Sequence, residues 1–311
     1  MAPKQNQVFE EIETACRDGA LLIAYVSDTH LHQDEPIDPA DPDHQDYAAN
    51  PDPDVVSGRL RMILAELDAT VPRPHFLVFG GDMTVRGRRG EWQKFFEIAE
   101  TSRIPYHLSL GNHDHYEDED RWHHSREAIR HGLPLLKMCR TPRQALTDVG
   151  LYYAAREGPW RLLFVDCPDA ITKTLEPVQR RWLISQLTSS HAPTILVIHR
   201  PFLKVGNRLD AFTTHDPELL ESIRAAGCVR LILSGHMHKA RAWLYDDIPH
   251  LISSSCYNGM DDEPGYKLIC MKDHGVSLTV TRYLKELGED GPVRYQQDEM
   301  VPYSEAALQS T

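Results

Sequence analysis

The chain has 311 residues, and its 41% hydrophobic and 25% charged residues are typical of a globular protein with a large core. It carries 46 acidic and 33 basic residues, for a formal net charge of −13, which disfavours a protein that follows nucleic-acid phosphates. The first residues contain no apolar signal-peptide core and no apolar run reaches the roughly 18 residues of a membrane span, so we predict a cytoplasmic protein with no nucleic-acid or membrane partner.

Helices are predicted where apolar residues recur every three or four positions. Gly19 follows the first of these segments, and the last one lies between the N-cap residue Asp216 and the terminating Gly227. In chain order, the predicted helices cover residues 8–18, 59–69, 91–98, 177–187 and 217–226.

Five short apolar runs have the length of buried strands, and each ends in an aspartate, asparagine or histidine. In chain order, they are residues 21–26, ending in Asp28 and His30; 76–79, ending in Asp82; 105–110, ending in Asn112 and His113; 194–198, ending in His199; and 229–233, ending in His236 and His238. Glycines beside several of these residues let the backbone turn tightly. Because ligands of open α/β sheets bind at the carboxyl ends of strands, the repeated ending predicts a ligand site.

Composition predicts the remaining segments. Residues 33–55 are rich in Pro, Asp and Asn, and we expect a long loop that either lies over the site or is a solvated insertion. Residues 115–147 are charged and His-rich, which favours a solvated face. Further strands are predicted over residues 152–155, 160–165 and several short runs within 241–283. We expect a single domain over residues 1–284 and a polar, irregular tail over 285–311.

The residues at the five strand ends form a metal-ligand set. They offer oxygen and nitrogen donors and no thiolate, which suits Mn, Fe or Zn. Seven candidate ligands are too many for one tetrahedral ion. They suit two divalent ions about 4 Å apart that share a bridging carboxylate, an arrangement used for phosphoryl displacement.

These motifs resemble those of the calcineurin-like metallophosphoesterases, and they are most similar to the class III cyclic-nucleotide phosphodiesterases and the glycerophosphodiesterases. The motifs that carry the resemblance are, in the family's order, Asp28-x-His30, Gly81-Asp82, Gly111-Asn112-His113-Asp114, His199 and Gly235-His236-Met237-His238. The resemblance implies an α/β fold in which two mixed β-sheets pack as a sandwich flanked by helices. The metals are then expected at the strand ends.

The resemblance also implies a role for each residue. The first metal would be held by Asp28, His30, Asp82 and His238, and the second by Asp82, Asn112, His199 and His236. Asp82 would therefore bridge the two ions. His113 is expected near the leaving-group oxygen, as a general acid or a charge stabiliser.

Several positions depart from the family's pattern. Val85 stands where an Asp or Asn often supports the histidine of the Asn-His pair, so the partner of His113 is left open; the nearby carboxylates are Asp114 and Asp118. Arg200 replaces the second residue of a His-His-Pro-Pro motif, and it either contacts phosphate or is solvated.

Other branches of the family fit less well. Arg86 matches an arginine that grips phosphate in the Ser/Thr protein phosphatases, and it is a second candidate substrate contact. Against that branch, Asp114 replaces their glutamate, and the chain has a Gly-His-x-His pair that they lack. The purple acid phosphatases carry a tyrosine ligand where this chain has Val85.

The predicted function is hydrolysis of a small phosphodiester, of the cyclic-nucleotide or glycerophosphodiester type, by a hydroxide that bridges two metal ions. A phosphomonoesterase is the main alternative because the metal centre does not distinguish mono- from diesters. A nuclease is disfavoured by the acidic charge, and a non-catalytic scaffold by the complete ligand set. The expected partner is a small phosphate ester, and formation of a homo-oligomer is left open.

Overall fold

The computed structural model describes residues 5–33, 53–115, 152–166, 174–203, 214, 216–256, 263–272, 275–284 and 294–303. The helices in these parts are α1 (Gln5–Arg17), α2 (Pro53–Ala69), α3 (Arg89–Ala99), α4 (Pro177–Ser189) and α5 (Pro217–Ala226), with a 3-10 turn at His113–His115. The strands are β1 (Leu21–Val26), β2 (Phe76–Gly80), β3 (Tyr106–Ser109), β4 (Tyr153–Glu157), β5 (Trp160–Val165), β6 (Thr194–Ile198), β7 (Val229–Ser234), β8 (Arg241–Tyr245), β9 (Ile248–Ile252), β10 (Gly265–Lys272), β11 (Gly275–Tyr283), β12 (Arg294–Gln297) and β13 (Val301–Pro302).

The strands form two mixed sheets. The first has the order β12-β11-β10-β1-β2-β3, and its strands β1, β2 and β3 are parallel neighbours. The second has the order β13-β8-β9-β7-β6-β5-β4, and its strands β5, β6, β7 and β9 are parallel neighbours. In the first sheet the parallel strands extend to the edge strand β3, and β1 pairs antiparallel with β10. In the second sheet the parallel strands are central, and antiparallel pairs join them to β4 and β8.

Alternate residues of the central strands face opposite layers. On β1, Ile23 and Tyr25 pack between the two sheets, whereas Leu22, Ala24 and Val26 pack against the helices α1 to α3. The second sheet packs in the same way between the first sheet and the helices α4 and α5. Because both faces of these strands are buried, their apolar runs are continuous and do not alternate with polar residues. The predicted fold class, two mixed sheets in a sandwich flanked by helices, is confirmed.

The boundary between the predicted loop and α2 differs from the prediction. Helix α2 begins at Pro53, so residues 53–55 are helical and not part of the predicted loop. Proline is compatible with the first helical turn, where its missing N–H has no intrahelical acceptor. The rest of the predicted loop, residues 34–52, lies outside the described residues, and so does most of the 115–147 segment.

The chain beyond residue 284 is not irregular throughout, which corrects the prediction. Strand β12 pairs with β11 in the first sheet, and β13 pairs with β8 in the second. The ring of Tyr295 meets that of Phe9 edge-on, with the centroids 4.8 Å apart, and Asp298 accepts a hydrogen bond from the buried Lys267 at 2.9 Å. Contacts with distant residues hold this polar segment in place, and composition does not predict such contacts.

None of the helices in the described parts of the chain is long and apolar enough to cross a membrane.

Candidate metal centre

The five strand ends predicted to carry ligands meet at one edge of the sandwich. Strands β1, β2 and β3 run parallel in the first sheet, and β6 and β7 run parallel in the second, so their carboxyl ends point the same way. Main-chain hydrogen bonds join neighbouring ends, from Asp28 N to Gly81 O at 2.9 Å and from Gly235 N to His199 O at 3.0 Å. The polar residues that follow these strands are thereby collected in one place.

The backbone turns sharply at most of the candidate ligands. Asp28, His30, Asp82, His236 and His238 have φ values of 55°, 44°, 53°, 66° and 52°, in the left-handed region that side chains disfavour. Only two other non-glycine residues in the described chain have positive φ, and both lie in the turn between β8 and β9. Strained backbone of this kind persists where the surrounding structure enforces it, and it is concentrated at functional sites.

Two glycines let carboxylates approach the backbone closely. A Cβ atom on Gly111 would lie 2.1 Å from Asp82 Oδ1, and one on Gly235 would lie 2.5 Å from Asp28 Oδ2. Both contacts are shorter than any that real side chains make, so any larger residue would displace a candidate ligand. The glycines of the Gly-Asn-His and Gly-His-x-His motifs therefore have a steric role at the site.

One group of donor atoms surrounds Asp28. The Nε2 atoms of His30 and His238 are 3.1 Å apart, and His238 Nε2 lies 3.3 Å from Asp28 Oδ1. The donor atoms of these three buried residues lie within 4.8 Å of one another, which is compatible with a shared metal ion. This group contains every ligand predicted for the first metal except Asp82.

A second group surrounds Asp82. His199 Nε2 lies 3.0 Å from Asp82 Oδ2, and His236 completes a set whose donor atoms also lie within 4.8 Å of one another. His30 Nε2, of the first group, lies 3.9 Å from the same Oδ2 atom. Asp82 thus lies close to histidines of both groups, and Asp28 Oδ1 also comes within 3.9 Å of His199 Nε2. A third compatible set, of His30, Asp82 and His113, overlaps both.

Two candidate ligands carry a buried oxygen that has no hydrogen-bond partner among the described residues, namely Asp28 Oδ2 and Asn112 Oδ1. The two residues are 0% and 5% exposed. Buried polar atoms in proteins nearly always have a partner, so atoms without one fit metal ligation. With the nitrogen and oxygen donor set, these atoms support the fit of divalent ions to this site.

The charged groups of the centre shift one another's pKa values. Burial by itself lowers the pKa of His199, but the charge and hydrogen bond of Asp82, together with Asp28 and the Gly80 carbonyl, raise this pKa to about 9. Burial by itself raises the pKa of Asp82, but His199 and His113 outweigh it and hold the pKa well below its usual value. Burial lowers the pKa of His30 and His236, which favours the neutral imidazole that a metal requires.

His113 is oriented by a main-chain group. Its Nδ1 lies 2.8 Å from the carbonyl oxygen of Val85, so Nδ1–H is assigned as the donor. Its own main-chain N–H donates to Asp82 Oδ1 at 2.8 Å. Asp114 is not the partner of His113, because its two oxygens accept hydrogen bonds from Thr84 and Gly111. Asp118, the other candidate, lies outside the described residues.

The two arginines singled out in the sequence are both buried. Arg200 is 4% exposed, so its interpretation as a solvated residue is wrong. Its charge is close enough to contribute, after burial, to the lowered pKa of His236. Arg86 is 6% exposed, and its charge contributes to the lowered pKa of His113. The two cations therefore lie beside opposite halves of the site.

Two further histidines lie close to the candidate ligands in sequence. His32 is buried and belongs to none of the metal-compatible groups found among the described residues. His115, which the sequence placed on a solvated face, is 1% exposed and its Nε2 lies 2.8 Å from Asp166 Oδ1. The sequence has no signal for this pair because its members are 51 positions apart.

The sequence also gives no signal for two further polar residues at the site. Thr84 is fully buried between the loops that follow β2 and β3. Arg59 on α2 donates to the carbonyl oxygen of Cys256 at 3.0 Å, and Cys256 N donates in turn to Asp28 O at 3.2 Å. Neither residue type stands out in its sequence context.

Comparison with known proteins gives a consistent result. The sequence model of the calcineurin-like phosphoesterase family matches residues 21–240, a range that contains all the candidate ligands. The chain is 30% identical over 172 residues to a probable cyclic nucleotide phosphodiesterase of Synechococcus sp., covering 54% of this chain and 59% of that protein. It is 26% identical over 259 residues to the glycerophosphodiester phosphodiesterase GpdQ of Enterobacter lignolyticus, covering 80% of this chain and 84% of that protein. The match thus spans about three fifths of the length of the first relative.

A solved structure has the same fold. A dimetal phosphatase from Danio rerio superposes with a TM-score of 0.60 at 12% identity, covering 90% of this chain and 99% of that one. At this identity the similarity concerns the fold alone.

Proposed function

Because the chain belongs to the calcineurin-like phosphoesterase family, we propose that it hydrolyses a small phosphodiester at the centre formed by the five strand ends. The substrate is of the cyclic-nucleotide or glycerophosphodiester type. Two relatives with these printed activities support this choice over a monoester.

The position of Asp82 is the observation that carries the proposal. Its Oδ2 atom lies 3.0 Å from His199 Nε2 and 3.9 Å from His30 Nε2, and these two histidines belong to different donor groups. A carboxylate between two such groups suits a pair of ions that share one ligand. A single structural ion would not need two donor groups that meet at one carboxylate.

We assign the ligands accordingly. The first ion would be held by Asp28, His30, Asp82 and His238, and the second by Asp82, Asn112, His199 and His236. The donor set suits Mn, Fe or Zn. When bound, two such ions lower the pKa of coordinated water and neutralise negative charge on phosphoryl oxygens.

His113 is the proton donor in this proposal. The Val85 carbonyl fixes Nδ1, so Nε2 is the atom that can deliver a proton to the leaving oxygen. Burial lowers the pKa of His113, and the Asp82 carboxylate and the Val85 carbonyl offset this lowering only in part. The ring of His113 contacts that of His30, with centroids 4.6 Å apart, so the donor lies next to the first ligand group.

Arg86 and Arg200 supply fixed positive charge. Guanidinium groups stay protonated and can bind two phosphate oxygens at once. Both side chains are buried beside the site, so their charges are weakly screened by solvent. In this proposal they hold the non-reacting oxygens of the ester.

The test combines metal analysis with a substrate panel. Purified protein should bind two equivalents of Mn²⁺ or Zn²⁺ and hydrolyse bis(p-nitrophenyl) phosphate, a cyclic nucleotide or a glycerophosphodiester faster than p-nitrophenyl phosphate. Asp18→Asn, an isosteric change of an exposed carboxylate just after the C-terminus of α1, is the control and should retain activity. Faster hydrolysis of the monoester would instead favour a phosphomonoesterase, and binding of one ion would contradict the ligand assignment.

A further inference from the structure

A buried carboxylate ties together the loops that follow β2 and β3. Asp114 is fully buried, and its Oδ1 atom accepts hydrogen bonds from Thr84 N at 3.0 Å and Thr84 Oγ1 at 2.9 Å. Its Oδ2 atom accepts one from Gly111 N at 2.9 Å. No metal-compatible group in the described chain includes Asp114. Its hydrogen bonds therefore serve the two loops and do not orient a ligand side chain.

Thr84 closes the turn that carries Val85 and Arg86. Besides donating to Asp114, its hydroxyl oxygen accepts a hydrogen bond from Gly87 N at 3.0 Å. A second buried carboxylate, Glu91, accepts hydrogen bonds from Arg86 N at 2.8 Å and from Arg88 N. Both ends of this short turn are thus fixed by side chains that are themselves fully buried.

The tip of the turn orients His113. The carbonyl oxygen of Val85 lies 2.8 Å from His113 Nδ1, and the Val85 side chain offers no polar group. A carbonyl can direct a ring only if its own peptide is held in place. On one side of that carbonyl, Asp114 Oδ1 accepts hydrogen bonds from both the main-chain N–H and the hydroxyl of Thr84. On the other side, the same hydroxyl accepts a hydrogen bond from Gly87 N, so it links the two sides of the turn.

We propose that Thr84 and Asp114 are positioning residues for His113. They fix the Val85 carbonyl, which orients the imidazole towards the leaving group, in place of the side-chain carboxamide or carboxylate that position 85 lacks. This inference rests on the proposed function of His113. It predicts that losing the Thr84 hydroxyl weakens proton delivery and leaves the metal ligands in place.

Thr84→Val tests the proposal because it removes only the hydroxyl and keeps the shape of the side chain. Thr84→Ser keeps the hydroxyl and should rescue the effect. Thr194→Val is the matched control: Thr194 is also 0% exposed, its hydroxyl bonds Arg161 and Ala192, and it begins β6 at the opposite end from His199. Loss of this hydroxyl should lower the stability of the fold without changing the orientation of His113.

Two measurements separate positioning from general destabilisation. In protein loaded with Zn²⁺ and labelled with ¹⁵N-histidine, exchange of the His113 Nδ1 proton should speed up about 5-fold or more in Thr84→Val, since the acceptor is less well held. The kcat for an alkyl phosphodiester should fall about 10-fold, while that for a p-nitrophenyl diester changes by less than about 2-fold, because only the poor leaving group needs a proton. Two Zn²⁺ ions per chain should remain bound.

The outcomes are distinct. If Thr84→Val matches Thr194→Val in proton exchange and in the alkyl-to-aryl ratio, the positioning role is wrong. Equal loss on both esters together with loss of metal would also overturn it, since Thr84 would then support the ligands. If wild-type protein hydrolyses no phosphate ester, the proposed function fails, and the exchange measurement alone decides whether Thr84 positions His113.

Discussion

Replacing Asp82 by asparagine should remove the shared ligand and leave the local hydrogen bonds intact. Asp82 Oδ1 accepts a hydrogen bond from His113 N at 2.8 Å, so the amide oxygen of Asn must occupy that position. The amide nitrogen is then forced into the position of Oδ2, which lies 3.0 Å from His199 Nε2. An amide NH₂ carries no charge and cannot ligate a metal. The substitution therefore replaces the bridging oxygen selectively.

The expected loss of activity follows from this geometry. Asp82→Asn should bind at most one equivalent of Mn²⁺ per chain under conditions in which the wild type binds two. Turnover should fall at least about 10³-fold, the scale of losing a main electrostatic group of the transition state. Elemental analysis after desalting and initial rates on bis(p-nitrophenyl) phosphate measure both quantities.

The metal-free protein offers a second readout. There burial lowers the pKa of His199, but Asp82, with smaller contributions from Asp28 and the Gly80 carbonyl, raises it from 6.5 to about 9. A shift of this size corresponds to about 3 kcal/mol. A raised histidine pKa stabilises the folded state fully below about pH 6.5, and this contribution is lost as the pH rises through about 9. The difference in unfolding free energy between wild type and Asp82→Asn should therefore be largest near pH 6 and shrink by about 3 kcal/mol at pH 9.5.

Urea unfolding of EDTA-treated protein at the two pH values measures this difference, with Asp18→Asn as the isosteric control. Retention of two metals by Asp82→Asn would refute the bridging assignment. A stability difference that does not change with pH would refute the ion pair between Asp82 and His199.

Three further predictions concern other residues. His113→Ala should lower kcat for an alkyl diester about 10²-fold and affect a p-nitrophenyl ester much less, and equal losses would mean that His113 does not deliver a proton. Arg200→Ala should raise KM for a diester about 10-fold and reduce its salt dependence, whereas an unchanged KM would limit Arg200 to a structural role. Lys267→Met leaves the Asp298 carboxylate, 9% exposed, without its cation, and should lower the free energy of unfolding in urea by about 3 kcal/mol or more. A double variant with Asp298→Asn should recover part of this loss, and an unchanged urea midpoint in Lys267→Met would show that the ion pair does not hold β12.

The amino-acid sequence by itself determined the layers of the fold. Continuous apolar runs such as residues 76–79 indicate strands that are buried on both faces, and helical spacing such as that of 217–226 predicts the helices that pack against them. The strand ends were predictable too, because apolar runs that stop at glycine and then Asp, Asn or His are local patterns. Their recurrence at five strands indicated a common site before any contact was known.

Only the tertiary structure decided how the residues around that site are held. The partner of His113 is a carbonyl oxygen of Val85, and every residue has such an oxygen, so no sequence pattern distinguishes it. The burial of Arg200 depends on the layers packed around it, because its own sequence context also suits a solvated arginine. The polar strand β12 is stabilised by its pairing with β11 and by the hydrogen bond between Asp298 and Lys267, which are 31 positions apart. The local sequence determines which helices and strands form and which side chains they carry. Contacts between residues that are distant in sequence are determined only by the tertiary packing.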